Sequence, residues 1–233
     1  MSRWERLSPL AGVAAVVLWI VGLALTKTPD TSSDKTDAQI LTVYQHNANR
    51  ILVASWLFML GCVFFLWFAG TLRVRMAEAE GGGHTFTGIA FGAAVAAVVF
   101  GIGNTAGPVA VAINKNDVSA ATAGALTHLT DLFFVGTEMS LIAMFAAAAV
   151  VAFRTGLFPK WWAILMWIVA VVLVIGPIGW AAVIFALPIW TLGTTFMLMR
   201  QRSDLRPVTP LPHEHERRAG GRVARARAPR YAA

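Results

Sequence analysis

Residues 51–71 read ILVASWLFMLGCVFFLWFAGT, a run without a single charge, bounded by Arg50 before it and by Arg73 and Arg75 after it. About 20 apolar residues in a helix cross the ~30 Å hydrocarbon layer of a bilayer. The run does not alternate between apolar and polar positions, as a barrel strand must. In lipid its backbone groups must find partners within the segment, which leaves a helix. Comparable runs lie on either side, at Leu7–Thr26, from Phe86 to about Gly107-Pro108, at Ala121–Phe153 and at Trp161–Met199. The last would reach almost 60 Å as one helix, at ~1.5 Å per residue. Gly176, Pro177 and Gly179 divide it into two spans joined by a tight turn. The expected fold is therefore all-α: a polytopic bundle of six transmembrane helices formed by residues 1–202.

Composition agrees. The 233 residues are 57% apolar and 13% charged, against about 25% charge in ordinary soluble domains. The net charge of +7 does not indicate a nucleic-acid partner, because the excess sits in short loops beside spans and in the C-terminal tail. Basic residues there set topology and meet anionic lipid headgroups. Residues 203–233 are rich in Arg, Pro and Ala and read as a disordered cytoplasmic tail. Its His213-Glu214-His215-Glu216 reads as a solvated charge patch. No cofactor motif is found, and Gly81 to Gly83 lack the Lys-Ser/Thr of a phosphate loop. Leu10–Leu25 is long for a signal-peptide core and no A-x-A-like site precedes Thr26, so it reads as an uncleaved span. The one cysteine, Cys62, reads as a small hydrophobe.

Orientation follows from Lys and Arg. With both termini inside, the outer segments hold Lys27, Lys35, Arg50 and Lys115, and the other fifteen of the 19 basic residues lie inside. Trp4, Trp161 and Trp162 fall at the inner interface. Local features carry further expectations. Ser33 caps an amphipathic helix ahead of span two, with Asp34 and Asp37 in its first turn and Ile40, Tyr44 and Ala48 on its apolar face. Gly88 and Gly92 form a G-x-x-x-G for close helix packing. Gly107-Pro108 ends span three, and Pro188 kinks span six.

The topology brings the outer ends of spans two, three and four to one level. There lie His46, Asn47, Asn49 and Arg50, then Asn104 and Thr105, then His128, Asp131 and Glu138. The last three share roughly an 80° arc of their helix at 100° per residue. A carboxylate inside a span costs about 2.5–3.5 kcal/mol on insertion scales and is a functional candidate by default. The candidate ligand- or ion-binding residues are Glu138, Asp131, His128, Arg50, His46 and Asn104. In one reading Glu138 and Asp131 line an outward-facing polar pocket for a small solute, ion or proton. In a second, Arg50 pairs with one of them and only fixes packing. In a third, Glu138 and His128 serve a membrane-embedded enzyme. No spacing marks a metal site.

The approach Tyr44…Arg50, the Arg73/Arg75 stop and Gly156-Leu157-Phe158-Pro159-Lys160-Trp161 at the start of span five resemble a family of small bacterial six-span integral membrane proteins, classed as a domain of unknown function. The resemblance covers most of residues 5–200. It implies the six-helix fold and a bacterial cytoplasmic membrane location, and brings no activity and no catalytic residue.

Overall fold

The structure, a computed structural model, describes residues 8–29 and 35–203, except for the side chains of 176, 177, 202 and 203. Ser33, Asp34 and Trp4 fall outside them, as does the tail from 204 onward, with His213 to Glu216. The described residues up to Met199 form one compact unit, the helix bundle. The described chain is helical, and no strand occurs in it.

Helix α1 spans Leu10–Leu25, α2 Asp37–Glu80, α3 Thr85–Ile113, α4 Ala120–Thr155 and α5 Lys160–Val174; α6, Gly176–Ala181, runs through a π-helical turn, Ala182–Ala186, into α7, Leu187–Ser203. Four helical stretches are long and apolar enough to cross a membrane: α2, α3, α4 and Ile178–Gln201. With 16 and 15 residues, α1 and α5 are shorter. Large apolar side chains face outward, including Trp56 and Trp67 at 69% and 66% exposure. Such a surface suits lipid better than water.

The amphipathic segment and span two form one rod. Helix α2 has 44 residues, about 66 Å at 1.5 Å per residue, because no Gly or Pro interrupts the chain between Asp37 and Leu60. Its cap is Thr36, in a reciprocal box: the Gln39 N–H donates to Thr36 Oγ1 at 3.4 Å and the Thr36 N–H to Gln39 Oε1 at 2.9 Å. The expected apolar face is buried. Ile40, Tyr44, Ala48 and Ile51 pack against Val111, Ala112 and Ala123 in a small core separate from the main one. This small core and the 114–119 turn mark the upper end of the bundle; the 81–84 and 156–159 turns mark the lower end.

Helix α3 does not stop at Gly107-Pro108 but continues to Ile113. Gly107 lets α4 pack close beside this continuation. A Cβ there would run into the Leu126 carbonyl oxygen and approach Thr130 Oγ1 to 3.0 Å, so α3 and α4 touch backbone to backbone. Proline is tolerated in such helices where neighbours supply replacement contacts. Lower down, the two helices exchange rings: a Cβ at Gly103 would lie 2.5 Å from the Phe133 ring, and one at Gly136 2.6 Å from the Phe100 ring. The two rings are 6.4 Å apart. Gly88 and Gly92, expected at a helix contact, have nothing within 4 Å of an added Cβ. They lie on an unpacked side of α3.

Helix α7 runs through the core. Trp190 sits edge-on to Phe68 at 5.9 Å and to Phe145 at 5.0 Å. Its buried threonines serve neighbours: Trp162 Nε1 donates to Thr194 Oγ1 at 3.2 Å, and Thr195 Oγ1 to the Pro9 carbonyl at 3.3 Å. Interhelical hydrogen bonds of this kind hold helices together where lipid offers no competing donor. The break between α5 and α6 falls at Ile175, beside Gly176 and Pro177. Pro188 is preceded by the π-helical turn, in which the Leu187 N–H reaches back to the Ala182 carbonyl.

Candidate functional site

A cavity of about 400 Å³ penetrates the upper half of the bundle between α1, α2, α3, α4 and the π-helical segment. Its wall changes character with depth. Tyr44, Asn104, Thr105, Thr127, Thr130 and Asp131 belong to the upper turns of their helices, and Trp19, Phe58, Cys62, Phe65, Leu141 and Leu187 lie further down. The cavity is thus polar toward the upper end and apolar below, the common character of sites for small organic ligands.

The polar wall is rich in acceptors. Thr105 Oγ1 donates to the Ile102 carbonyl at 2.7 Å, Thr127 Oγ1 to Ala123 at 2.7 Å, Thr130 Oγ1 to Leu126 at 3.1 Å and Thr137 Oγ1 to Phe133 at 3.0 Å. Each hydroxyl has one proton, and each uses it within its own helix. Tyr44 Oη lies 3.1 Å from Thr127 Oγ1. Since the Thr127 proton goes to Ala123, Tyr44 is the donor in that pair. Asn104 Nδ2 donates to the Thr130 carbonyl at 3.3 Å, leaving its amide oxygen as an acceptor. Together with the Asp131 carboxylate, the upper wall offers oxygen lone pairs and few protons.

Of the six candidate residues, Asn104 and Asp131 line the cavity; His46, Arg50, His128 and Glu138 do not. His46 is exposed, with Nδ1 2.8 Å from the Thr42 carbonyl of its own helix. His128 is exposed and pairs with Asp131 at 3.8 Å. Arg50 is exposed, and among the described residues it forms no ion pair with Asp131 or Glu138. The pairing expected for it does not form, because α2 turns the Arg50 position away from α4 while presenting Ala48 and Ile51 inward. Glu138 is 5% exposed, its Oε1 has no hydrogen-bond partner, and it lies against Gly179 of α6. Ten residues, or ~15 Å of helix, separate it from His128, so the two do not form one catalytic pair. Among the described residues no three His, Cys, Asp or Glu side chains come together as metal ligands.

Sequence reasoning did not anticipate Trp19, Tyr44, Phe58, Thr127, Thr130 or Thr137 as walls of one cavity. A partial signal exists in α4: positions 127, 130, 134, 137 and 141 fall at helical spacing on one stripe. The shared face of α1 has no counterpart signal, since its residues are apolar all round. No protein-family model matches the chain, and no curated protein and no solved structure shows detectable similarity to it.

Proposed function

We propose that the protein is a six-span integral membrane protein of the bacterial cytoplasmic membrane, with both termini inside, that binds or passes a small amphipathic solute bearing a donor-rich, uncharged or cationic head. The observation that carries this reading is the cavity itself, acceptor-rich above and apolar below. An amine or hydroxylated head matches the threonine oxygens, the Asn104 amide oxygen and the Asp131 carboxylate; an apolar body matches Trp19, Phe58 and Leu141. An anionic head would face Asp131 across a short distance and is disfavoured. Four helical stretches of membrane-crossing length support the membrane assignment. The six-span reading adds α1 and α5, whose ~24 and ~22 Å of helix reach most of the way across, flanked by residues that continue the chain into each interface. The orientation rests on the distribution of Lys and Arg. On this reading residues 203–233 form a cytoplasmic tail whose arginines meet anionic headgroups.

The test is photolabelling in lipid nanodiscs with a diazirine-bearing alkylamine, mapped by mass spectrometry. Label is expected on Phe58, Leu141 and Leu187. Gly101 lines the cavity, and a Cβ there makes only ordinary contacts of 3.7–3.8 Å with Phe58 and Cys62. Gly101→Leu therefore fills the space and removes this label. Label confined to outward residues such as Trp56 and Trp67, or unchanged by Gly101→Leu, refutes the proposal.

A further inference from the structure

Glu138 lies outside the cavity, yet the chain it touches leads directly into the cavity wall. Gly179 is four residues before Val183, and Val183, Ile184, Leu187 and Pro188 line the cavity. Around Gly179 two acceptors converge. A Cβ on that residue would lie 2.5 Å from Glu138 Oε1 and 3.2 Å from the Leu173 carbonyl oxygen. The residue four beyond Leu173 is Pro177, which has no N–H, so the helical bond that would reach back to this carbonyl is absent. Of the N–H groups beyond Pro177, that of Ile178 donates to the Ile175 carbonyl at 2.8 Å and that of Gly179 to the same oxygen at 3.0 Å.

No cation among the described residues resolves this concentration of lone pairs. Helices α1 and α3 carry no charged residue, nor does the stretch 176–199, and the only one in α5 is Lys160 at its lower end. On α4 itself His128 and Asp131 sit above and Arg154 below; on α2, Asp37, His46 and Arg50 belong to the upper turns and Arg73, Arg75, Glu78 and Glu80 to the lower ones. None of these forms an ion pair with Glu138. The cavity of about 400 Å³ is lined by Thr137 and Leu141, neighbours of Glu138 on α4, but not by Glu138 itself. One species fits such a buried site: a proton on the carboxyl, whose O–H turns an acceptor into a donor for a backbone carbonyl at the break, of which that of Leu173 lies nearby.

We infer that Glu138 is a proton-binding group that latches α4 to the α5–α6 break, and that release of the proton loosens the α6 and π-helical segment forming one wall of the cavity. The consequence for ligand access rests on the proposed cavity function; the proton site itself does not. A π-helical turn beside a proline is a natural place for such movement, since its hydrogen bonding is already irregular.

The experiment uses the full chain in nanodiscs. Amide hydrogen exchange of peptides covering 176–187 is followed from pH 5 to 10 and corrected for intrinsic exchange, with α3 peptides as the internal reference. The wild type should lose at least tenfold protection in this segment as pH rises, while α3 does not change. Glu138→Gln, whose amide still donates, should stay protected at every pH. Glu138→Met, of similar bulk without a donor, should be unprotected at every pH. A pH step retained in Glu138→Gln, no step in the wild type, or equal protection in the Gln and Met variants each overturns the latch. Alkylamine photolabelling under the same conditions separates the latch from the cavity function. Label that changes in step with protection supports both. An exchange step without cavity label at any pH leaves the latch standing and refutes the cavity.

Discussion

Alanine placed at different glycines of α3 should have opposite effects, because these glycines meet different surroundings. At Gly88 an added Cβ meets nothing within 4 Å. Only the backbone term operates there, and Gly→Ala in a helix gains about 0.5–1 kcal/mol. At Gly107 the same gain is opposed by a collision with the Leu126 carbonyl oxygen, with the Leu126 carbonyl carbon at 3.2 Å and Thr130 Oγ1 at 3.0 Å. These are largely backbone atoms of a packed helix and cannot rotate aside, so α3 and α4 must separate. Overpacking of this kind costs about 1–3 kcal/mol, for a net loss of roughly 1–2 kcal/mol. The two variants should therefore differ by about 2–3 kcal/mol, with Gly136→Ala between them because the flexible Phe100 ring can swing away. Thermal unfolding in one detergent, at about 2–4 °C per kcal/mol for a body of this size, resolves such a spread. If Gly88→Ala proves the more damaging, the face of α3 that packs on α4 is wrongly assigned.

Three further outcomes are expected. Glu138→Gln and Arg50→Gln should act independently in a double-mutant cycle on thermal stability, with coupling under about 0.5 kcal/mol; coupling above about 1 kcal/mol with rescue in the double variant would mean that they form a pair after all. Thr127→Val strands the buried Tyr44 hydroxyl and should cost about 1–3 kcal/mol, whereas Tyr44→Phe removes only the donor and should cost about 0.5–1.5 kcal/mol, both read from melting curves; the reverse order would place the Tyr44 hydroxyl in contact with something other than Thr127. Reporter fusions after Arg75 and Arg200 should read inside and those near Lys35 and Lys115 outside; an outside reading at Arg200 would sink the six-span count.

Much of the helical layout was legible because it depends on features local in sequence. Uninterrupted apolar runs, the Ile40/Tyr44/Ala48 stripe and the Gly176-Pro177 break each act through their neighbours along the chain. What depends on azimuth was not legible. Gly88 and Gly92 have the spacing of a packing motif, but α3 turns Gly103 and Gly107 toward α4 instead, and only the rotation of the helix decides which pair is used. Arg50 and Glu138 were expected to face one another, but Arg50 points away from α4 and lies higher in the bundle than Glu138. The merging of two expected segments into α2 escaped for a different reason: an amphipathic helix leading into an apolar one has no boundary signal unless a breaker lies between them. The cavity is the least legible of all, since a void is a failure of five surfaces to meet and no single residue marks it.

The exchange of rings between α3 and α4 also bears on how the chain finds its fold. Phe133 on Gly103 and Phe100 on Gly136 are two keys on one antiparallel hairpin. Slide one helix by a turn and Phe133 still finds a glycine, at Gly107, but Phe100 arrives at Ser140. Slide it the other way and the rings meet Val99 and Leu132. Lipid itself discriminates poorly between such registers, being as apolar as the helices, so collision has to do it. A hairpin carrying both keys can reject misaligned pairings as soon as it leaves the insertion machinery, before α5 and α7 exist to correct it.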